Sequence, residues 1–347
     1  MLSKGFKIVS PKTFEVFVEN ISADQSEAIV KIDTAAICKA DLRYYTGNRD
    51  KRVLGLKYPM RLIHEAIGTV INDNSKVLKK GQKVMLVPNI KFNYLCEECA
   101  LDICHDNSLG ENYCPKAKFA SSNYEGFSSE FITYPSENLV PINNVEDEVA
   151  VFAEVISVCN AAIRRVGNLD DKVIGIWGDG IVGYILALVI KSRFNCRVIC
   201  VGKNIDKLKK IICDEYYVKD SKDMLSSKID IAFECVGGQK SQDAINEIIY
   251  KIKPGGKIVL TGVAENNVQI NTRKILEKGI SITGSTRSNV EDFMLCIELF
   301  KSKKFVNGIK EVILSVNEVS SINEYYNVFE VESNNRLLGK HIMKFNI

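Results

Sequence analysis

Short runs of apolar and β-branched residues, separated by turn-forming residues, dominate the chain from about residue 25 to 150. Alternation of apolar and polar positions within such runs is typical of half-buried strands. The clearest runs are EAIVKID, GTVIN, QKVMLVP and SEFITYP. Helical periodicity is sparse in this part, so the pattern predicts a compact, largely antiparallel β domain.

After residue 150 the pattern changes to strand-like and helix-like segments in alternation. The strand-like runs KVIGIW, CRVICVG, IDIAFECVG and GKIVLTG alternate with the helix-like runs GYILALVIKSRF, IDKLKKII and SQDAINEIIYKI. This order is typical of βαβ units around a parallel sheet. From about residue 290, two amphipathic helix candidates and a final strand, KHIMKF, are too little for a third domain. We therefore predict an α/β protein in which residues 1–150, completed by 290–347, form one domain and residues 151–289 the other.

Length and charge agree with this division and exclude some partners. A chain of 347 residues exceeds the roughly 250 to 300 at which single cores stop growing. Its 46 Lys and Arg against 43 Asp and Glu leave a net charge of +3, with only short clusters such as Lys207, Lys209 and Lys210, which argues against a nucleic-acid partner. The longest uncharged apolar run, near Tyr184 to Ile190, is far below the ~20 residues of a membrane span, and the first residues lack the apolar region of a signal peptide. We expect a cytoplasmic protein that does not contact a membrane.

A glycine array lies between an apolar strand and an apolar helix, in IGIWGDGIVGYILALVI. Glycines with this spacing allow a tight turn, a close approach of the backbone to a pyrophosphate, and close packing of the helix. The setting predicts a dinucleotide site on the helix N-terminus rather than a structural turn. The predicted loop comprises Gly178, Asp179, Gly180, Ile181, Val182 and Gly183.

The end of the second strand of this unit indicates which dinucleotide binds. Chains that bind NAD usually carry an Asp or Glu about twenty residues after the array, which binds the ribose 2′-hydroxyl. Here the position is Gly202, followed by Lys203, with Lys207 further on. Loss of the carboxylate and gain of a lysine favour NADPH, unless Lys203 is only a solvated surface residue.

Four dispersed residues are candidate metal ligands: Cys38, His64, Glu65 and Glu154. Three of them have an ordinary alternative, because Cys38 and His64 could be buried core residues and Glu154 could lie on a helix surface. Glu154 is the more telling, since a carboxylate within the apolar run VAVFAEVISVCNAAI would be costly to bury without a cation or donor.

Several motifs in order resemble the zinc-dependent medium-chain alcohol and polyol dehydrogenases. The resembling segments are Cys38 with Asp41, then HEAIGTV, YEGFSSEF, AFECVGG and KPGGKIVLTGV. The resemblance covers nearly the whole chain. It implies a GroES-like β-barrel catalytic domain followed by a doubly wound Rossmann cofactor domain. It also implies that Cys38, His64, Glu65 and Glu154 surround a catalytic zinc ion, with Asp41 orienting His64.

Within that family, the chain is most similar to the ribulose-5-phosphate reductases. The segments that carry this likeness are RYYTGNRD, IWGDGIVGYI, FECVGGQKSQDAIN and NTRKILEKGISITGSTRS. The likeness implies NADPH-dependent reduction of D-ribulose 5-phosphate to D-ribitol 5-phosphate, which supplies teichoic-acid or capsule polymers. It further implies a homodimer and a complex with a ribitol-5-phosphate cytidylyltransferase. Another polyol or polyol-phosphate dehydrogenase, or a cofactor-binding relative without turnover, remains an alternative.

Four of the eleven cysteines crowd into one polar stretch: Cys96, Cys99, Cys104 and Cys114. Outside oxidising compartments, clustered cysteines favour metal binding over disulfides. The cluster resembles the family's structural-zinc lobe, although the gaps after Cys99 and Cys104 are each two residues longer than usual. A structural zinc ion is expected here, and a lobe of free thiols is the alternative.

Other positions depart from the family pattern. Ala40 stands where many members carry the Ser or Thr of a proton relay, and Arg43 replaces the relay histidine. We therefore expect proton delivery through a water molecule at the metal, with Glu154 or Glu65 beside it. Ile63 stands where the family usually has glycine.

Arg43 is also the first candidate for the substrate phosphate, because arginine binds phosphate in a bidentate manner. Arg49 and Arg287 are further candidates, with a solvated surface arginine as the alternative for each. Tyr44 could contact the sugar or belong to the core.

Overall fold

The computed structural model describes residues 1–91, 113–220 and 229–347. Among the described residues of the first part of the chain there are nine strands and three short helices. Most of them pack around one apolar core, whereas Val149 and Ala150 of the third helix belong to a core shared with the second part. The strands are β1 (Leu2–Ser10), β2 (Thr13–Asn20), β3 (Glu27–Ala36), β4 (Glu65–Asp73), β5 (Lys83–Leu86), β6 (Asn89–Ile90), β7 (Lys118–Phe119), β8 (Phe131–Pro135) and β9 (Leu139–Pro141). The helices are α1 (Lys39–Tyr45), α2 (Lys51–Lys57) and α3 (Asp147–Ala150).

The described residues of the second part form six parallel strands with helices between them. Its strands are β10 (Val173–Trp177), β11 (Arg197–Gly202), β12 (Glu215–Val218), β13 (Ile229–Glu234), β14 (Ile252–Leu260) and β15 (Ser281–Gly284). Its helices are α4 (Ala153–Arg164), α5 (Ile181–Arg193), α6 (Ile205–Leu208), α7 (Ser241–Lys251) and α8 (Thr272–Lys278).

These six strands lie in the order β12-β11-β10-β13-β14-β15, and every pairing is parallel. The chain runs outward from β10 first to β11 and β12, then returns to the other side of β10 through β13. A ligand of such a sheet binds at the carboxyl ends of the strands, at the point where the order reverses. The loops after β10, β11, β13 and β14 therefore face the expected cofactor.

The last segment contains more structure than the sequence pattern predicts. It holds three helices and two strands: α9 (Val290–Phe300), α10 (Lys303–Lys310), β16 (Ile313–Val319), α11 (Ile322–Asn334) and β17 (Lys340–Phe345). The prediction of two helices and one strand was wrong because α10 is only eight residues long and β16 is mostly half-buried or exposed. Helices α9 and α10 pack against α4 and α5.

The segment also completes the first sheet. Strand β17 pairs antiparallel with β3, and β16 pairs parallel with β17, giving the order β16-β17-β3-β4-β5-β9, with β8 also on β3. The pairings join β16 and β17 to the first sheet, whereas α9 and α10 of the same segment pack against the second part. The division into residues 1–150 with 290–347, and 151–289, stays a prediction. Within the described residues, no helix is both long and apolar enough to cross a membrane.

Candidate active site

Strand register brings three of the four candidate metal ligands together. Ala36, the last residue of β3, is opposite Glu65, the first residue of β4. Cys38 follows β3 by two residues and His64 immediately precedes β4, so their side chains meet at the same end of the sheet. One ligand atom from each of Cys38, His64 and Glu65 can be chosen such that all three lie within 4.8 Å of one another.

Asp41 connects the two segments that carry these ligands. Its Oδ2 accepts the backbone N–H of Cys38 at 3.0 Å, and its Oδ1 accepts the backbone N–H of Ile63 at 3.0 Å and the hydroxyl of Ser121 at 2.5 Å. Nδ1 of His64 lies 3.4 Å from the same Oδ1, a long contact, and has no other partner among the described residues. Asp41 is thus placed to orient His64, which is its proposed role.

The negative surroundings of His64 suit a cation. Burial lowers the pKa of His64, but Asp41 and Cys38 raise it by a larger amount, so that it lies well above its usual range. Groups that favour an imidazolium also favour a metal ion at the free ring nitrogen. A thiolate, an imidazole and a carboxylate at this separation are a donor set that Zn²⁺ prefers, with room for a further ligand. The residues present therefore fit the metal that the sequence predicts.

Glu65 has a partner that the sequence analysis missed. Ile342 pairs with Ala36, so Lys340, two residues earlier on the same face of β17, reaches the same end of the sheet. Its Nζ donates to both carboxylate oxygens of Glu65, at 2.6 and 2.7 Å, and to the carbonyl of Ile37 at 3.2 Å. Both side chains are at least 95% buried. Lys340 therefore competes with a metal for Glu65.

Glu154 belongs to the first turn of α4, which packs on β4. It is 7% exposed, and burial raises the pKa of its carboxyl to about 7. His64 and Lys340 lower this pKa, while Glu65 raises it, so Glu154 faces the same group of charges. Among the described residues, its carboxylate forms no ion pair with a lysine or arginine. It is the one candidate ligand of the four that falls outside the close group of Cys38, His64 and Glu65.

The glycine array adopts the predicted strand–loop–helix arrangement. Gly178 has φ +133°, and α5 begins directly after Gly180. A side chain at Gly183 would place its Cβ 2.0 Å from the carbonyl oxygen of Gly178, so only glycine allows this helix to pack so near the loop. Ile181 and Val182, in the first turn, are half-buried.

An acidic side chain does lie at the end of β11, but the loop before α5 supplies it. Oδ2 of Asp179 accepts the backbone N–H groups of Lys203 and Asn204, both at 2.6 Å. It fills the space in which a side chain at Gly202 would stand, since a Cβ there would lie 2.6 Å from that of Asp179. Lys203 is exposed and Lys207 is half-buried in α6.

The predicted substrate residues fall into two groups. Arg43 and Arg49 converge on Glu265, which follows β14, with nitrogen–oxygen distances of 2.7 and 3.7 Å. The guanidinium of Arg49 also lies 4.7 Å from the ring centre of Tyr44, which is core-buried. Arg287 lies apart from them, over the ring of Phe119 at 5.3 Å.

Comparisons with known proteins agree with this architecture. The model of the alcohol dehydrogenase GroES-like domain matches residues 24–144, and that of the zinc-binding dehydrogenase matches residues 182–302. Ribulose-5-phosphate reductase 1 of Staphylococcus aureus is 34% identical over 99% of this chain and 99% of its own length. The chain belongs to the zinc-binding dehydrogenase family.

Further relatives of this dehydrogenase extend the likeness. Ribulose-5-phosphate reductase of Streptococcus pneumoniae is 33% identical, over 96% of this chain and 95% of its own. The crystal structure of S. aureus TarJ in complex with NADPH has a TM-score of 0.85 and 31% identity, with both chains fully covered. The predicted family and the predicted fold class, a GroES-like domain with a Rossmann domain, are confirmed.

The expected second metal site of the dehydrogenase lies mostly outside the described residues. Cys96, Cys99 and Cys104 belong to residues 92–112, while Cys114 is described and buried. A structural zinc ion at these four cysteines stays a prediction.

Lys340 and Ser121 are the site residues that sequence reasoning missed. For Lys340 a signal existed, because in KHIMKF the lysine shares the buried face of Ile342, and a buried lysine needs an anionic partner. For Ser121 there was no comparable signal, since a serine in a loop is ordinary.

Proposed function

We propose that this dehydrogenase reduces D-ribulose 5-phosphate to D-ribitol 5-phosphate, with NADPH as the hydride donor. The observation that carries the proposal is the likeness over almost the whole chain to four proteins named ribulose-5-phosphate reductase, at 33–34% identity. Relatives named L-idonate 5-dehydrogenase, L-galactonate-5-dehydrogenase and probable D-xylulose reductase A are 23–26% identical and cover 77–85% of this chain.

NADPH would lie along the carboxyl ends of β10, β11 and β13. The backbone N–H groups at the start of α5 face its pyrophosphate, and Lys203 lies beside the loop where a 2′-phosphate would sit. The TarJ structure with NADPH supports this choice of cofactor. Bound NADPH would supply a hydride to the keto carbon and become NADP⁺, and the new hydroxyl would then require one proton, which the residues of this chain must deliver.

Cys38, His64 and the carboxylates of Glu65 and Glu154 are the residues that would hold zinc. Bound zinc would polarise the keto oxygen and stabilise the negative charge that develops on it. Because Lys340 already binds both oxygens of Glu65, Glu154 is the carboxylate free to respond to this change in charge. Burial raises the pKa of its carboxyl in the zinc-free protein, and we assign it to proton delivery through a water molecule.

Arg43 and Arg49 are the proposed ligands of the substrate phosphate. Arg43 belongs to α1, the helix that begins directly after Cys38, and this places its guanidinium near the reacting centre. Arg287 lies over Phe119, whose ring centre is 5.5 Å from that of His64, so it lines another wall of the site.

Association and localisation extend this proposal. A homodimer is proposed from the resemblance to the ribulose-5-phosphate reductases. We place the enzyme in the cytoplasm, where NADPH and phosphosugars occur. A complex with the cytidylyltransferase that consumes ribitol 5-phosphate remains a proposal from resemblance.

Steady-state kinetics with the zinc-loaded enzyme test the proposed function. Rates with NADPH and NADH are compared on D-ribulose 5-phosphate and on D-ribulose. We expect a clear preference for NADPH and for the phosphorylated sugar. Equal rates on both sugars would contradict the proposal that Arg43 and Arg49 bind the substrate phosphate. Full activity of the zinc-depleted enzyme would contradict the proposed role of the metal.

A further inference from the structure

Two arginines of the catalytic domain share one carboxylate of the Rossmann domain. Oε1 of Glu265 accepts from Nη1 of Arg43 at 2.7 Å and lies 3.7 Å from Nε of Arg49. Arg43 and Glu265 are 222 residues apart in the chain. This ion pair therefore bridges the two domains.

The bridge lies between the cofactor edge and the candidate metal site. Glu265 follows β14, and the adjoining Val263 accepts the N–H of Gly238 at 2.8 Å, so this segment belongs to the loops at the carboxyl edge of the parallel sheet. Arg43 extends from the helix that begins after Cys38. A substrate with its keto group at Cys38 and its reacting carbon at the nicotinamide would enter this space.

Positive charge exceeds negative charge at the bridge. Lys57 also lies near Arg49. Burial lowers the pKa of Lys57, and the positive charge of Arg49 lowers it further. Nε of Arg43 is buried and has no hydrogen-bond partner among the described residues. The two guanidinium groups thus have unused donors, and a single carboxylate does not satisfy them.

The bridge is also accessible. The side chains of Arg43 and Arg49 are 26% and 23% exposed, and that of Glu265 is 42% exposed. An incoming anion can therefore reach the arginines. A phosphate with nearly two charges and three acceptor oxygens binds guanidinium groups more strongly than a carboxylate does.

We propose that Glu265 occupies, in the substrate-free enzyme, the position that the substrate phosphate takes on Arg43 and Arg49. A phosphorylated sugar displaces Glu265, whereas an uncharged sugar does not. Glu265 thereby sets specificity, because it keeps the arginines occupied against everything except a strongly charged group. This inference rests on the proposed function, since it takes the two arginines as the phosphate site.

The test is the substitution Glu265→Gln in the full-length, zinc-loaded enzyme, with inorganic phosphate as the probe. We expect phosphate to bind about tenfold more tightly than to the parent enzyme, because its competitor has lost its charge. The KM for D-ribulose 5-phosphate should fall while kcat stays within about twofold. Glu265→Ser is a second variant, and thermal unfolding checks that both are folded.

Glu277→Gln is the matched control. Its carboxylate is also 42% exposed and also pairs with two cations, Arg273 and Lys274, but on the surface of α8. It should leave phosphate binding unchanged.

Arg43→Gln separates the inference from the proposed function. If this variant loses phosphate binding while Glu265→Gln binds phosphate no more tightly than the parent, the competitor role is wrong and the phosphate site stands. If neither substitution changes phosphate binding, the arginines are not the phosphate site, and both ideas fail.

Discussion

Removal of the Lys340 ammonium should have one of the largest single-residue effects on this protein. In Lys340→Met, the carboxylate of Glu65 stays 99% buried but loses both of its short hydrogen bonds. Breaking a buried ion pair by removing one partner costs about 3 to 5 kcal/mol, because the remaining charge is uncompensated. For a unit of about 150 to 250 residues, 1 kcal/mol shifts the midpoint by roughly 2 to 4 °C, so the unfolding midpoint of the catalytic domain in the zinc-free protein should fall by roughly 6 to 20 °C.

A double-mutant cycle with Glu65→Gln isolates the pair. The loss of unfolding free energy in the double variant should be smaller than the sum of the losses in the two single variants by at least about 2 kcal/mol, because no charge remains buried. Zinc should reduce the loss in Lys340→Met, since a bound cation near Glu65 replaces the ammonium. Thermal unfolding is measured with and without zinc, and the zinc content is determined for each variant.

Lys344→Met is the control on the same strand. Lys344 pairs with Glu148, but the two side chains are 39% and 22% exposed, so solvent screens the pair and its loss should change the unfolding midpoint little. If Lys340→Met unfolds within about 2 °C of Lys344→Met, or if the cycle is additive, the pair does not stabilise the sheet as argued.

Three further predictions concern single positions. In zinc-free protein, the raised pKa of Glu154 means that its contribution to stability is complete below pH 4.5 and is lost as the pH rises through about 7. Between these limits, the free energy of unfolding of Glu154→Gln, measured with denaturant, should therefore rise by roughly 3 kcal/mol relative to that of the parent. A difference that does not change with pH would contradict the raised pKa. The new methyl group in Gly202→Ala must displace Asp179, so NADPH should bind about tenfold more weakly in a fluorescence titration. Gly284→Ala is the control, because a Cβ there meets no atom within 4 Å; equal NADPH affinities of the two variants would show that binding does not depend on the contact between Gly202 and Asp179. Ile63 is fully buried and has φ 74°, a backbone conformation that favours glycine, so Ile63→Gly should be more stable than Ile63→Ala by about 1 kcal/mol in the same unfolding assay. At Ile67 in β4 the alanine variant should be the more stable one, and the same order at both positions would refute the backbone argument.

The sequence predicted local features of the fold well and non-local ones poorly. The unit from β10 to α5 could be predicted because its apolar strand, glycine loop and apolar helix are contiguous. The candidate ligands came from motifs in family order. That β17 would place Lys340 against Glu65, 275 residues away, depends on strand order, which no short pattern specifies.

Two interpretations of charge needed the structure. The absence of an acid at Gly202 was read correctly from the strand, yet Asp179 fills that position from the preceding loop. Arg43 and Arg49 could be suspected as phosphate ligands, but their common partner Glu265 could not, because it belongs to the other domain. In both cases the deciding contact joins residues that are far apart in sequence: Asp179 and Lys203 are 24 residues apart, and Arg43 and Glu265 are 222 residues apart.

The order of the sheet has a consequence for biosynthesis. Strand β3 emerges from the ribosome early, but its neighbour β17 is translated only after the entire Rossmann domain. Until then residues 34–36 at the end of β3 lack a neighbour on the side that β17 later takes, although β8 pairs with residues 27–31, and Glu65 lacks its lysine partner. Such late pairing slows folding and leaves nascent chains open to aggregation. We expect the Rossmann domain to fold during translation and the metal-binding end of the catalytic domain to form last.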